Sequence, residues 1–76
     1  MLSVTKVYIR LRSLGIPVSI EGPKIIFPGT EVSFIILRKN ALLVCYINDN
    51  NGGALKIFEN DEEVTEYIFN YVWEFL

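Results

Sequence analysis

Few side chains in this 76-residue chain could do chemistry: one thiol, Cys45; three carboxylates outside the C-terminal acidic cluster, Glu21, Glu31 and Asp49; and a glycine pair, Gly52-Gly53. There is no histidine, so the usual general base near neutral pH, histidine-based triads and imidazole metal ligands are all absent. A Cys45 nucleophile would have no histidine partner. A single cysteine also rules out an intramolecular disulfide and a cysteine zinc site. Because Cys45 lies within an apolar run, a small buried thiol is its expected state, which fits a reducing, intracellular setting.

The polar stretch after Ile47 invites a calcium reading. A twelve-residue frame opened at Asn48 places Asn50 at position three, Gly53 at six and Glu59 at twelve. Its first ligand would be a neutral amide and its fifth position is Gly52, so too little negative charge is present to hold the cation. Gly52-Gly53 lacks the Lys-Ser/Thr and the helix that complete a phosphate loop. A helix followed by several strands is also the opening order of the restriction-endonuclease-like fold, and the resemblance stops there. That family's metal site wants a Glu-x-Lys on the strand after an acidic one, whereas the strand after Glu31, Ala41 to Ile47, carries no charge. No catalytic residue, cofactor or metal is therefore expected, and the chain reads as a non-enzyme.

Charge and aromatic residues offer partner recognition instead. Residues 1–40 carry Lys6, Arg10, Arg12, Lys24, Arg38 and Lys39 against Glu21 and Glu31, a balance of +4; residues 41–76 carry Lys56 against seven carboxylates, a balance of -6. The basic set is a candidate nucleic-acid contact if the fold gathers it on one side. Glu62, Glu63, Glu66 and Glu74 could conversely mimic nucleic-acid phosphates, as an acidic inhibitor helix does. Phe69 and Trp73, one helical turn apart and bordering Glu62 and Glu66, form a candidate protein interface, because such an aromatic pair serves as an anchor when exposed.

The elements that position these residues are legible from periodicity. Val32 to Leu37 and Ala41 to Ile47 are β-branched and aromatic, are separated by the polar Arg38-Lys39-Asn40, and read as an antiparallel central hairpin. With a Lys39-Asn40 loop, Val32, Phe34, Ile36, Leu43, Cys45 and Ile47 share one face, and Ser33, Ile35, Leu37, Leu42, Val44 and Tyr46 the other. Both faces are mainly apolar. A solvated antiparallel sheet normally presents polar residues outward, so this hairpin must be sandwiched within the domain or sealed by another chain.

Around it, Val4, Val7, Tyr8, Leu11 and Leu14 predict an amphipathic N-terminal helix, with Ser3 as N-cap and Gly15 as stop. Ile16 to Ile20, held to an edge by Pro17, and Lys24 to Phe27 predict two short strands. The Asn51-Gly52 turn predicts a fifth strand, Ala54 to Phe58. Asn60, with Glu63 three residues on, starts a C-terminal helix whose stripe is Val64, Ile68, Tyr71, Val72 and Phe75.

The expected fold is a single α+β domain over residues 1–76: an N-terminal helix, an antiparallel meander of four or five strands, and a C-terminal helix packed on the sheet. The N-terminus shows no secretory pattern and no run spans a bilayer, so a cytoplasmic location is expected. With 51% hydrophobic residues in a chain of a size that buries only about 60% of its unfolded surface, self-association is expected. The leading functional expectation is a homodimeric protein-protein interaction module, using the second sheet face or the Phe69/Trp73 side of the last helix.

Overall fold

The computed structural model describes residues 2–49 and 52–74. Its elements are α1 (Ser3–Ser13), β1 (Ser19–Glu21), β2 (Lys24–Ile26), β3 (Ser33–Lys39), β4 (Leu42–Asp49), β5 (Gly52–Phe58) and α2 (Asp61–Trp73). The strands form one antiparallel five-stranded sheet in the order β1-β2-β3-β4-β5, the neighbour-to-neighbour path that short connections favour. This is the expected α+β architecture, and both helices lie against the same face of the sheet.

Of the expected stripe, helix α1 buries Val4, Val7 and Leu11 and half-buries Tyr8, whereas Leu14 is the exposed residue just past the helix, which ends where Gly15 takes a φ of +83°. Its start differs from the reading above. Leu2 is the capping residue and makes no side-chain cap, while Ser3 lies inside the helix and its hydroxyl accepts a hydrogen bond from the Arg38 guanidinium at 3.0 Å. A long-range partner on β3 has taken the group that local pattern assigned to the helix end.

The first strand is also shorter than Ile16 to Ile20. Pro17 cannot donate to a ladder, so Ile16 and Val18 reach the core from extended chain, and pairing begins only at Ser19↔Ile26. The β3–β4 turn is Asn40-Ala41, one residue later than expected, with Asn40 at a φ of +59° and Lys39 paired to Leu42. Ile36 therefore pairs with Cys45, where the earlier turn would have set it against Leu43. A shift of two keeps every side chain on its own face, because strand side chains alternate with period two.

Phe34, Ile36, Leu43, Cys45 and Ile47 accordingly form the floor of the core, beneath Val7 and Leu11 of α1 and Val64, Ile68 and Val72 of α2. α1 packs on β1, β2 and β3, α2 on β4 and β5, and the helices pack on each other. β5 begins at Gly52, two residues ahead of the expected Ala54. The Asn50-Asn51 part of its turn, the Asn50 position of the calcium frame, and Phe75 of the last helical stripe lie outside the described residues.

Helix α2 opens with the expected cap. The Asn60 side chain accepts from the Glu63 N–H at 2.9 Å, and the Glu63 carboxylate reaches back to the Glu59 N–H, also at 2.9 Å. Asp61, Glu62 and Glu63 sit in the first turn, where the helix dipole favours negative charge.

Candidate functional site

Placing both helices on one face leaves the other bare. On this outer face the ladder sets Leu37 beside Val44 and Val44 beside Ile57; in the next row lie Ile35, Tyr46 and Leu55. Leu37, Leu55 and Ile57 are exposed, with Leu55 and Ile57 at 50% and 58%, whereas Val44 between them is only 7% exposed. Val44 is buried on the face away from the helices and is not part of the core cluster beneath them. The result is a contiguous apolar patch on β3, β4 and β5. Toward β1 and β2 the same face becomes mainly polar, through Ser33, Lys24, Ser19 and Glu21, with the half-buried Ile26 between Ser33 and Ser19. Sequence reasoning identified the face; what it lacked was which face the helices choose.

Phe69 and Trp73 lie on the helix side. Their rings stack at 5.5 Å with 30° between planes. Phe69 is half-buried against the core, and Trp73 is 69% exposed. Ile9 and Leu2, which could have screened the pair, are themselves exposed. Glu62 and Glu66 are exposed on α2.

The basic residues divide among different surroundings. Lys6 makes an ion pair with Asp61 at 3.7 Å, and the groove between the helices is lined by Lys6 and Arg10 together with Asp61 and Glu62. Arg38 and Lys6 also line a second groove beside Ser3 and Pro23. Arg12 donates to the Val18 carbonyl at 3.4 Å. Lys24 stands on β2 opposite Ile35, and Lys39 at the β3–β4 turn. Acidic residues of α2 thus sit beside part of the basic surface.

Among the described residues three groups have perturbed titration. Burial pushes the Cys45 thiol from 9 up to about 11, which keeps it protonated and unreactive at neutral pH. The Tyr71 phenol is pushed up to about 12, first by its hydrogen bond to the Asp49 carboxylate and then by burial. Tyr67 is also raised, chiefly by burial. These are neutral groups kept neutral, the opposite of an activated nucleophile or base. Among the described residues no three acidic, cysteine or histidine side chains gather as a metal site. No helix of the described residues is long and apolar enough to cross a membrane.

Compared with known protein families, with curated proteins and with solved structures, the chain matches none.

Proposed function

We propose that this chain is a small intracellular interaction module that self-associates through the outer face of its sheet. The observation that carries this reading is the uncovered row Leu37-Val44-Ile57, with Ile35, Tyr46 and Leu55 beside it. A sheet face in water normally carries polar side chains, and contiguous apolar patches on soluble proteins mark contact surfaces. The buried, protonated Cys45 suits a reducing compartment. Nucleic-acid binding through Lys6, Arg10, Arg12, Lys24, Arg38 and Lys39 has less support, because Asp61 and Glu62 share the groove that holds Lys6 and Arg10. The same neighbours weaken mimicry by the acidic helix.

Molar mass by light scattering behind a sizing column tests the proposal. The expected result is a mass at least about twice that of the 8.7 kDa chain, persisting in high salt because apolar contact is little screened. A Leu37→Lys/Ile57→Lys double variant should run as single chains with unchanged helix content. A wild-type chain that stays single at high concentration, or a double variant with undiminished mass, discards the outer-face contact.

A further inference from the structure

The two edges of the sheet are built differently. β1 is three residues long and follows Pro17, two of the devices by which sheets blunt an edge. β5 runs seven residues without proline, in unbroken register with β4 from Asp49↔Gly52 to Leu43↔Phe58. Residues 52–57 are all exposed, and Lys56 is the strand's single charge.

The ladder fixes which peptide groups of β5 face outward. The Ile36 N–H bonds the Pro23 carbonyl at 2.9 Å, so the peptide groups of Ile36 point toward β2. Direction alternates along an antiparallel strand. Ile35 and Leu37 therefore point toward β4, their partners Tyr46 and Val44 point back, and Cys45 and Ile47 point on toward β5. Their partners Lys56 and Ala54 complete that ladder. The N–H and C=O groups of Gly53, Leu55 and Ile57 are left directed out of the sheet.

These three positions are symmetric about Leu55. Set antiparallel to a second copy with Leu55 opposite Leu55, the strand pairs over its whole length: Gly53 faces Ile57 of the copy, and each outward pair can exchange both its hydrogen bonds. Lys56 then faces Ala54. Centring on Lys56 instead would set like charges directly opposite, which is destabilising. Gly53 adds no side chain where Ile57 of the copy arrives. The apolar patch points the same way: toward β1 and β2 it gives way to Ser33, Lys24, Ser19 and Glu21, interrupted only by the half-buried Ile26, but it runs to the β5 edge at Leu55 and Ile57 with no polar border. Interfaces have an apolar centre and a polar rim, and joining β5 to β5 places the two patches side by side with the polar border outermost.

We infer that two copies join edge to edge through β5, in antiparallel register centred on Leu55, making one continuous sheet whose outer face carries both patches. This rests on the self-association reading and adds to the outer-face contact a second one, at the β5 edge, which leaves the joined outer face free to make the first. The test is amide hydrogen exchange on the wild-type chain, followed by NMR at concentrations below and above assembly, with molar mass measured on the same samples. Assembly should slow exchange at Gly53, Leu55 and Ile57 by at least about tenfold, while Ala54 and Lys56, already in the β4 ladder, change little. An assembled sample in which those three amides exchange at the single-chain rate overturns edge pairing and leaves the outer-face contact standing. A chain that remains single at every concentration overturns both.

Discussion

Tyr71, in the last turns of α2, donates its phenolic hydrogen to the carboxylate of Asp49 at the end of β4. The same ring meets Phe34 of β3 edge-on, centroids 5.4 Å apart, so one side chain ties the helix to two neighbouring strands. Replacing Tyr71 by Phe keeps the ring contact and removes the hydrogen bond. Unfolding by urea should show a loss of about 1 to 2 kcal/mol, the range for a partly exposed bond to a charged acceptor.

The alkaline limb of stability follows from the same residue and from Cys45. Both groups have folded pKa values raised above their ordinary ones, to about 12 for Tyr71 and about 11 for Cys45. A raised value means that the folded state holds its proton more tightly, so this stabilisation is whole below about pH 9 and is lost as pH rises through 11 and 12. The urea midpoint should stay level from pH 7 to about 9 and then fall steadily. In Tyr71→Phe the curve should start lower and fall less steeply above about pH 10; an unchanged slope there would assign the alkaline loss to other groups.

Phe34 lies at the centre of the core floor, fully buried between Phe27, at 5.7 Å, and Tyr71. Phe34→Ala should cost about 3 to 5 kcal/mol. Against a total stability of roughly 4 to 11 kcal/mol for a chain of this size, that leaves little folded protein on heating. Calorimetry would register the change as a large fall in Tm.

Asn60 closes the first turn of α2, and Asn60→Ala should remove about 1 kcal/mol in chemical denaturation. Lys6→Met, by contrast, should change stability by less than about 1 kcal/mol, because Lys6 is 53% exposed and the first turn of α2 itself favours the charge of Asp61, which is 24% exposed. A large loss in the Lys6 variant would mean that the ion pair carries more of the helix packing than its exposure implies.

Trp73→Glu reports on the other apolar surface. With Trp73 at 69% exposure, the substitution should leave stability within about 0.5 kcal/mol and molar mass unchanged if association uses the sheet. A fall to the single-chain mass would instead place the contact on α2, at the stacked Phe69 and Trp73.

Local periodicity was enough to specify the helices, the strand faces and the α2 cap. Val4, Val7 and Leu11 recur at 3.6-residue spacing, Phe34, Ile36, Leu43, Cys45 and Ile47 at spacing two, and Asn60 and Glu63 touch within one turn of chain; each pattern survives small errors in where a turn falls. What tertiary structure decided is longer in reach. Ser3 left its capping role for Arg38, 35 residues away. The two helices chose the face of Phe34 and Ile36 over the almost equally apolar face of Ile35 and Leu37. Alternation along a strand sorts side chains into two sets but does not say which set meets a helix, and that depends on how the chain crosses the sheet at residues 14–18 and 59–60. That choice left Val44 on the face away from the helices, between Leu37 and Ile57, and made the outer face and the β5 edge the surfaces on which function is proposed.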